Sequence, residues 1–429
     1  PDPGHEIATM KAGQRIVQKY GGTSVGGAER LRAVAGRIKA ASERGTELVV
    51  VVSAMSGETN RLTALASELS PRPDDRELDV LLATGEQAST ALLAMALHQA
   101  GVAAVSLQGH QVRIATDSSF GRARIKSIDV SRVEQSLAKG EVVVVAGFQG
   151  VDEASNITTL GRGGSDTTAV ALAAALKADI CEIYTDVNGV FTTDPRVCEE
   201  AAKLERISYE EMIELAGQGT KVLQIRAVEC AKRYGVRVHV RSSFNDQEGT
   251  MVVPEEPNME EILVSGVAFD RDQSKITILG VPDRPGLAAS ILGPLAAAGI
   301  VIDMIVQNVA EDGRTDFTFT VAATDCDRVG DIVGKVAKEV GARGFTSSGD
   351  MAKVSVVGLG MRNHAGVAAR AFEILGDEDI NIQMISTSEI KISVVIDRKN
   401  VDRAVEALHR GFIGVERDQG ASSRREAGP

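Results

Sequence analysis

The stretch TTLGRGGSDTTAVALAAAL, residues 158–176, sets a glycine-rich turn carrying one arginine and one aspartate against a long apolar helix. Gly161, Gly163 and Gly164 give the chain the freedom to turn sharply into it. Two readings of the turn are open, and they are compatible: the turn is expected both to cap its helix and to hold a ligand. In one, Ser165 or Asp166 merely caps a helix beginning near Thr167. In the other, backbone N–H groups, the positive end of the helix and the fork of Arg162 hold an anion.

Working outward, the same strand–turn–helix rhythm repeats. RIVQKYGG (15–22) reads as a strand ending in glycines, and residues 28–44 as a helix. ELVVVVSAMSG (47–57) and EVVVVAGFQG (141–150) are all-apolar runs of the kind a parallel sheet buries on both faces. Residues 77–100 read as helical and AAVSLQG (103–109) as a strand. ICEIYTDVNGV (180–190), a helical region over 208–234 and VRVHVRSS (236–243) complete the series. Such alternation implies an α/β layered domain over residues 15–255, its mostly parallel sheet covered by helices on both faces.

The acidic, turn-rich segment NDQEGTMVVPEEPNMEE (245–261) breaks the pattern and marks a domain boundary near residue 255. Beyond it lies an internal repeat. KITILGVPDRPGLAASILGPLAAAGIVIDMI begins at Lys275, and KVSVVGLGMRNHAGVAARAFEILGDEDINIQMI at Lys353. Gly280 matches Gly358, Gly286 matches Gly366, and Asp303 falls at the position of Gln383. Two βαββαβ modules fit, over 262–340 and 341–420.

Composition narrows the function. The net charge of −12 argues against nucleic-acid or anionic-membrane partners, and 3% aromatics with no Trp argues against base-stacking platforms. Cys181, Cys198, Cys230 and Cys326 are scattered with no CxxC pair. That argues against a disulfide framework or zinc site and points to a reducing cytoplasm. No uninterrupted apolar run of about eighteen residues is present, so no membrane span is expected. Residues 1–14 read as a disordered leader outside the fold, with Met10 a plausible start.

Four features at strand ends converge on anion handling. Lys19 with Gly21 and Gly22, Ser53, the turn at 161–166, and Asp186 followed by Arg196 all fall at carboxyl ends of strands. Ligands of open α/β sheets sit there. Singly, each has a plainer reading: a strand-end turn, a helix cap, a type I turn at TDPR, a solvated helix residue at Glu86. Together they carry more weight. There is no GxxxxGK[ST] loop, no HRD or DFG signature, and no GxGxxG after a strand.

KYGGTSV, LLATGE, the 158–176 stretch, YTDVNGVFTTDPR and GTKVLQIRAVECA together resemble the aspartate kinases, of the amino-acid kinase superfamily. The resemblance runs from about Arg15 to residue 415. It implies an amino-acid kinase fold followed by two ferredoxin-like α+β ACT modules, small-molecule sensors. It further implies transfer of the γ-phosphoryl group of ATP, with Mg²⁺, to the β-carboxylate of L-aspartate. Lys19 then matches the lysine facing the transferring phosphoryl group, and Lys221 a second phosphate-binding lysine. Arg162 matches the grip on the substrate α-carboxylate, with Asp166 as counter-charge to its ammonium. Glu86, Gly163, Gly164 and Ser165 match positions lining the amino-acid pocket, and Ser53 one that borders it near the phosphates. Tyr20, Gly21, Gly22, Thr185, Asp186, Phe191 and Arg196 match nucleotide positions. No protein side chains are assigned to the metal.

The sequence departs from that family at Phe191, where Tyr is usual, and at Asn188, where Asp is usual. In the tail the resemblance implies feedback inhibition by lysine, threonine or both, and a homo-oligomer joined through the ACT modules. Effector positions fall at Asp283, Asp303 and Gln307 in the first repeat and at Asn363, Asn381 and Ser386 in the second. Val301 stands where the family often has Asn, so the two candidate pockets are chemically unequal. Met251 and Met259 are conceivable starts for a separate regulatory chain. Kinases of glutamate, acetylglutamate or UMP are the nearer rivals, and a non-catalytic amino-acid sensor the more distant one.

Overall fold

Valine-rich strands set the architecture of the first half. The computed structural model describes residues 13–217, 222–255, 263–309, 313–364 and 366–414. The chain divides into two compact units. The first holds residues up to Val190, then 203–216 and 221–256; the second takes Phe191–Ala202, 217–220 and everything from Pro257.

In the first unit the strands are β1 (Arg15–Tyr20), β2 (Glu47–Val52), β3 (Ala104–Leu107), β4 (Ile114–Thr116), β5 (Ile125–Ile128) and β6 (Val142–Ala146). After them come β7 (Gln149–Val151), β8 (Ile157–Thr159), β9 (Ile180–Thr185), β10 (Arg206–Ser208), β11 (Val238–Ser242) and β12 (Thr250–Val253). Its helices are α1 (Ala28–Ser42), α2 (Glu58–Leu69), α3 (Asp75–Gln99), α4 (Ser131–Leu137), α5 (Gly164–Ala175), α6 (Tyr209–Gly217) and α7 (Ile225–Tyr234).

Eight strands form one sheet in the order β10-β12-β11-β9-β1-β2-β6-β3. Within it only the β11–β12 pairing is antiparallel. Val49 to Val52 and Val143 to Ala146 are fully buried, as the apolar runs require. On one face, Leu31, Val34 and Ile38 of α1 and Leu93 and Leu97 of α3 pack on Val50, Val52 and Val144. Helix α5 packs on β1, β2, β9 and α7, with Ser165 to Val170 all buried.

Two expected elements divide. The 141–150 run breaks at Gly147 and Phe148, the latter at φ 68°, so β7 leaves the main sheet. It joins a second, four-stranded sheet, β5-β4-β7-β8. The helical region 208–234 breaks into α6 and α7. Helix α3 is long and apolar enough by composition to cross a membrane. It nevertheless buries Asp79 and Glu86 at 1% and 4% exposure and packs on β3, β6 and β8, the behaviour of a core helix.

The second unit is one six-stranded sheet in the order β14-β15-β13-β16-β18-β17. Its strands are β13 (Gly266–Pro282), β14 (Ile302–Val309), β15 (Arg314–Val321), β16 (Gly344–Val357), β17 (Met384–Thr387) and β18 (Lys391–Asp397). Helices α8 (Leu287–Ala297) and α9 (Cys326–Glu339) cover Ile276, Ile278, Phe317 and Phe319. Helices α10 (Val367–Asp377) and α11 (Val401–His409) cover Val354, Val356, Val394 and Ile396. The two repeats share strands: the end of β13 pairs with the start of β16, and the start of β13 with the end of β16.

Residues Phe191–Ala202 are held within this unit. The Thr192 carbonyl accepts from the Val267 N–H at 2.7 Å, and its hydroxyl lies 2.8 Å from Nε2 of buried His409.

Candidate active site

Strand alternation decides which β1 side chains can meet a ligand. Gln18 and Tyr20 turn to one face and Lys19 to the other, towards α5. Lys19 is nearly buried, and its Nζ lies 2.6 Å from Oδ1 of Asp166 in the first turn of α5. Gly22 then lets the end of β1 close against its neighbour. The Gly21 N–H donates to the Tyr184 carbonyl at 3.2 Å. A side chain at Gly22 would bring its Cβ within 2.8 Å of the Ala54 carbonyl oxygen. The Ser53 N–H donates to the Tyr20 carbonyl at 3.1 Å, and the Ser56 N–H to the Gly22 carbonyl at 3.2 Å. The ends of β1 and β2 are thereby fastened together.

Glu86 closes this corner from α3. Its Oε1 accepts from the Ala54 N–H at 3.0 Å, while Oε2 is buried with no hydrogen-bond partner among the described residues. Burial raises its pKa to about 7. From the other side Gly147, at the end of β6, lies so close to Ser165 that a Cβ there would sit 2.7 Å from the hydroxyl. Lys19, Ser53, Glu86, Ser165 and Asp166 therefore gather at the carboxyl ends of β1, β2 and β6.

The capping reading of the turn fails. Helix α5 begins at Gly164, three residues before Thr167, and its N-cap is Gly163 with no side-chain hydrogen bond. Ser165 and Asp166 lie inside the helix, and the Asp166 carboxylate pairs with Lys19 instead. Gly161 and Gly163 both have left-handed backbones, φ 77° and 67°. Glycine is required at 163 on a second ground, since a Cβ there would overlap Cγ of Gln224 at 1.5 Å. Between these glycines Arg162 is exposed, with no ion-pair partner among the described residues. Gln224 was not singled out from sequence, although it lies in the quoted stretch GTKVLQIRAVECA.

The nucleotide expectations divide. Thr185 and Asp186 follow β9, the Thr185 hydroxyl donating to Asp186 Oδ1 at 3.2 Å. Asn188 Oδ1 accepts from Asn245 Nδ2 at 2.8 Å. Tyr20 requires correction as a side-chain contact. It is fully buried, stacked on Tyr184 with ring centroids 4.7 Å apart, and its hydroxyl donates to Gln18. Only its backbone remains for a ligand. Phe191 and Arg196 belong to the second unit, where Arg196 grips Asp194 two residues earlier at 2.7 Å, the turn-forming arrangement. Lys221 lies outside the described residues.

Among the effector positions, Asp283 and Gln307 are exposed and meet, Nε2 to Oδ1, at 3.5 Å. Asp303 is ion-paired with the buried Lys353, so its charge is already neutralised. Asn381 and Ser386 are exposed near β17, and the Asn363 side chain lies outside what is described. No group of three or more His, Cys, Asp or Glu suited to a metal occurs among the described residues.

The sequence matches the amino acid kinase family over residues 14–242 and the ACT domain twice, over 275–341 and 354–412. It is 59% identical over 398 residues to an aspartate kinase from Stutzerimonas stutzeri, covering 92% of this chain and 97% of that one. Among solved structures, E. coli aspartokinase III in complex with aspartate and ADP matches with a TM-score of 0.78 at 26% identity, covering 93% and 100% of the two chains. The same enzyme with lysine and aspartate matches with a TM-score of 0.73 at 27% identity, covering 92% and 99%.

Proposed function

The chain belongs to the aspartate kinase family of amino-acid kinases, and on that premise we propose that the 161–166 turn grips L-aspartate while Lys19 meets the phosphoryl group of ATP. The enzyme is an ATP-dependent kinase that phosphorylates the β-carboxylate of L-aspartate, giving 4-phospho-L-aspartate. The observation that carries the residue roles is the nearly buried Lys19–Asp166 pair, 2.6 Å apart, in the first turn of the helix that follows the exposed Arg162.

The acceptor needs no general base. Its side-chain carboxyl has a reference pKa of about 3.9 and is already an ionised nucleophile at neutral pH. What the protein must do is bring two anions together and stabilise charge as it spreads over the transferring oxygens. Arg162 takes the α-carboxylate through its two-pronged guanidinium. Glu86 and Asp166 face the ammonium. Asp166 also holds Lys19 in place, so that its charge is preorganised where negative charge develops. Ser53, Gly21, Gly22, Thr185 and Asp186 offer backbone and hydroxyl donors or a carboxylate near the nucleotide. Mg²⁺ would neutralise phosphate charge.

The ACT modules carry feedback inhibition by lysine, threonine or both, with Asp283 and Gln307 forming the better-placed pocket, and they join copies of the chain. A neighbour solved with lysine supports this reading. Initial rates of ADP formation with aspartate, glutamate and acetylglutamate test the acceptor. Turnover with aspartate alone is expected; comparable rates with the others would sink the assignment of the turn to aspartate.

A further inference from the structure

The turn that carries Arg162 contains two left-handed glycines, and such a turn is loose unless its flanks are fixed. On its amino-terminal flank, two charged side chains from different helices hold the backbone. Asp79 of α3 is 1% exposed. It accepts from the Thr159 N–H at 2.7 Å, from the Thr159 hydroxyl at 2.6 Å and from the Gly121 N–H at 2.9 Å. Arg226 of α7 donates to the Leu160 carbonyl at 2.6 Å and to the Ala123 carbonyl at 2.9 Å. The Ala123 N–H in turn donates to the Thr159 carbonyl at 2.8 Å. Acid and base thus grip the same two segments, 121–123 and 159–160, immediately before Gly161 and Arg162. A Cβ at Gly161 would lie only 3.0 Å from the Gly121 carbonyl oxygen, so the two segments are in close contact there.

We propose that Asp79 and Arg226 are positioning residues for aspartate binding, setting where Arg162 presents its guanidinium without touching substrate themselves. The proposal rests on Arg162 being the carboxylate grip. The physical ground is that charge-assisted hydrogen bonds to backbone are the strong ones. A misplacement of about 1 Å in a binding group can cost a hundredfold in rate. Burying a carboxylate at Asp79 without a charged partner is costly unless its acceptor sites are filled, and backbone and hydroxyl donors fill them here. Arg226 supplies what a lysine cannot, two donors fixed in one plane and directed to two carbonyls.

The test uses the full-length enzyme with saturation curves in aspartate and in ATP. Asp79→Asn and Arg226→Met are each expected to raise KM for aspartate about tenfold and to leave KM for ATP within about twofold. Arg226→Lys should fall between Arg226→Met and wild type. In an Arg162→Lys background, adding Asp79→Asn or Arg226→Met should raise KM for aspartate by less than about twofold, because their effect passes through Arg162.

A merely structural role would lower the active fraction and melting temperature with unchanged KM, or would add fully in both backgrounds. Either result overturns the proposal. If Asp79→Asn does not fold, the two Arg226 variants decide. If Arg162→Lys alone leaves aspartate saturation unchanged, the carboxylate-grip reading fails first. If Arg162→Lys raises KM while the other variants do not, only the positioning role fails.

Discussion

Glu86 shows what burial does to one carboxyl. Enclosed by α3 and the end of β2, with one oxygen on the Ala54 N–H, it titrates near 7, against an ordinary value of 4.5. Because the folded value is raised, the folded chain keeps a proton between those two pH values that the unfolded chain releases. Glu86 therefore lowers stability progressively as pH rises through that window. Glu86→Gln should gain thermal stability relative to wild type between pH 5 and 7 and match it below about pH 4.5. Melting curves across that range check this. On the proposed reading, the ionised form is also the one that meets the substrate ammonium. Wild-type kcat/KM for aspartate should then fall about tenfold per pH unit below about pH 7, and the Gln variant should lose that dependence. A flat wild-type profile would remove Glu86 from the ammonium site. Lys19 and Arg162 drew notice in the sequence because each falls beside glycines at a strand end, although singly a strand-end turn or a helix cap was the plainer reading. Tyr20 keeps only its backbone for a ligand, because β-strand alternation turns its side chain away from Lys19.

At the scale of elements, the start of α5 shows what sequence alone withheld. Ser165 and Asp166 are good capping residues, so a helix start near Thr167 was the natural reading. The helix instead starts at Gly164, since Gly163 adopts a left-handed backbone and Gln224 fills the space beside it. That neighbour is remote in the chain and left no local signal. Gly163→Ala should therefore combine a steric clash with about 1–2 kcal/mol of backbone strain. It is expected to weaken aspartate binding sharply. Adding Gln224→Ala should relieve only part of the clash, because the remaining Cβ would still lie 2.5 Å from the new one, and should restore only part of the affinity. Full restoration in the double variant would mean the left-handed backbone is unimportant. The break at Phe148 was hidden for a similar reason. Apolar patterning continues across it, and only the pairing of β7 into the small sheet interrupts it.

For the whole molecule, the repeat in the tail was plain from its matched glycines, but the sharing of β13 and β16 between repeats was not, because long-range register has no periodic signature. The repeat has a reciprocal feature. Lys353 pairs with Asp303, and Lys275 donates to Gln383 at 2.6 Å, each lysine meeting the residue at the matching position of the other repeat. This occupies Asp303 and leaves Asp283 and Gln307 as the exposed pair suited to an amino-acid effector. Asp283→Ala should relieve inhibition by lysine or threonine while leaving the uninhibited kcat nearly unchanged. Initial rates with each amino acid, alone and together, measure this, and unchanged inhibition would move the effector site elsewhere. The claim on which the three scales converge is that the turn at 161–166 holds the substrate carboxylate. The most direct measurement is aspartate saturation of wild type and Arg162→Lys at fixed, saturating ATP. Loss of bidentate contact should raise the half-saturating aspartate concentration at least about tenfold, or about 1.4 kcal/mol, with ATP saturation little changed. Superimposable aspartate curves for the two proteins would contradict it.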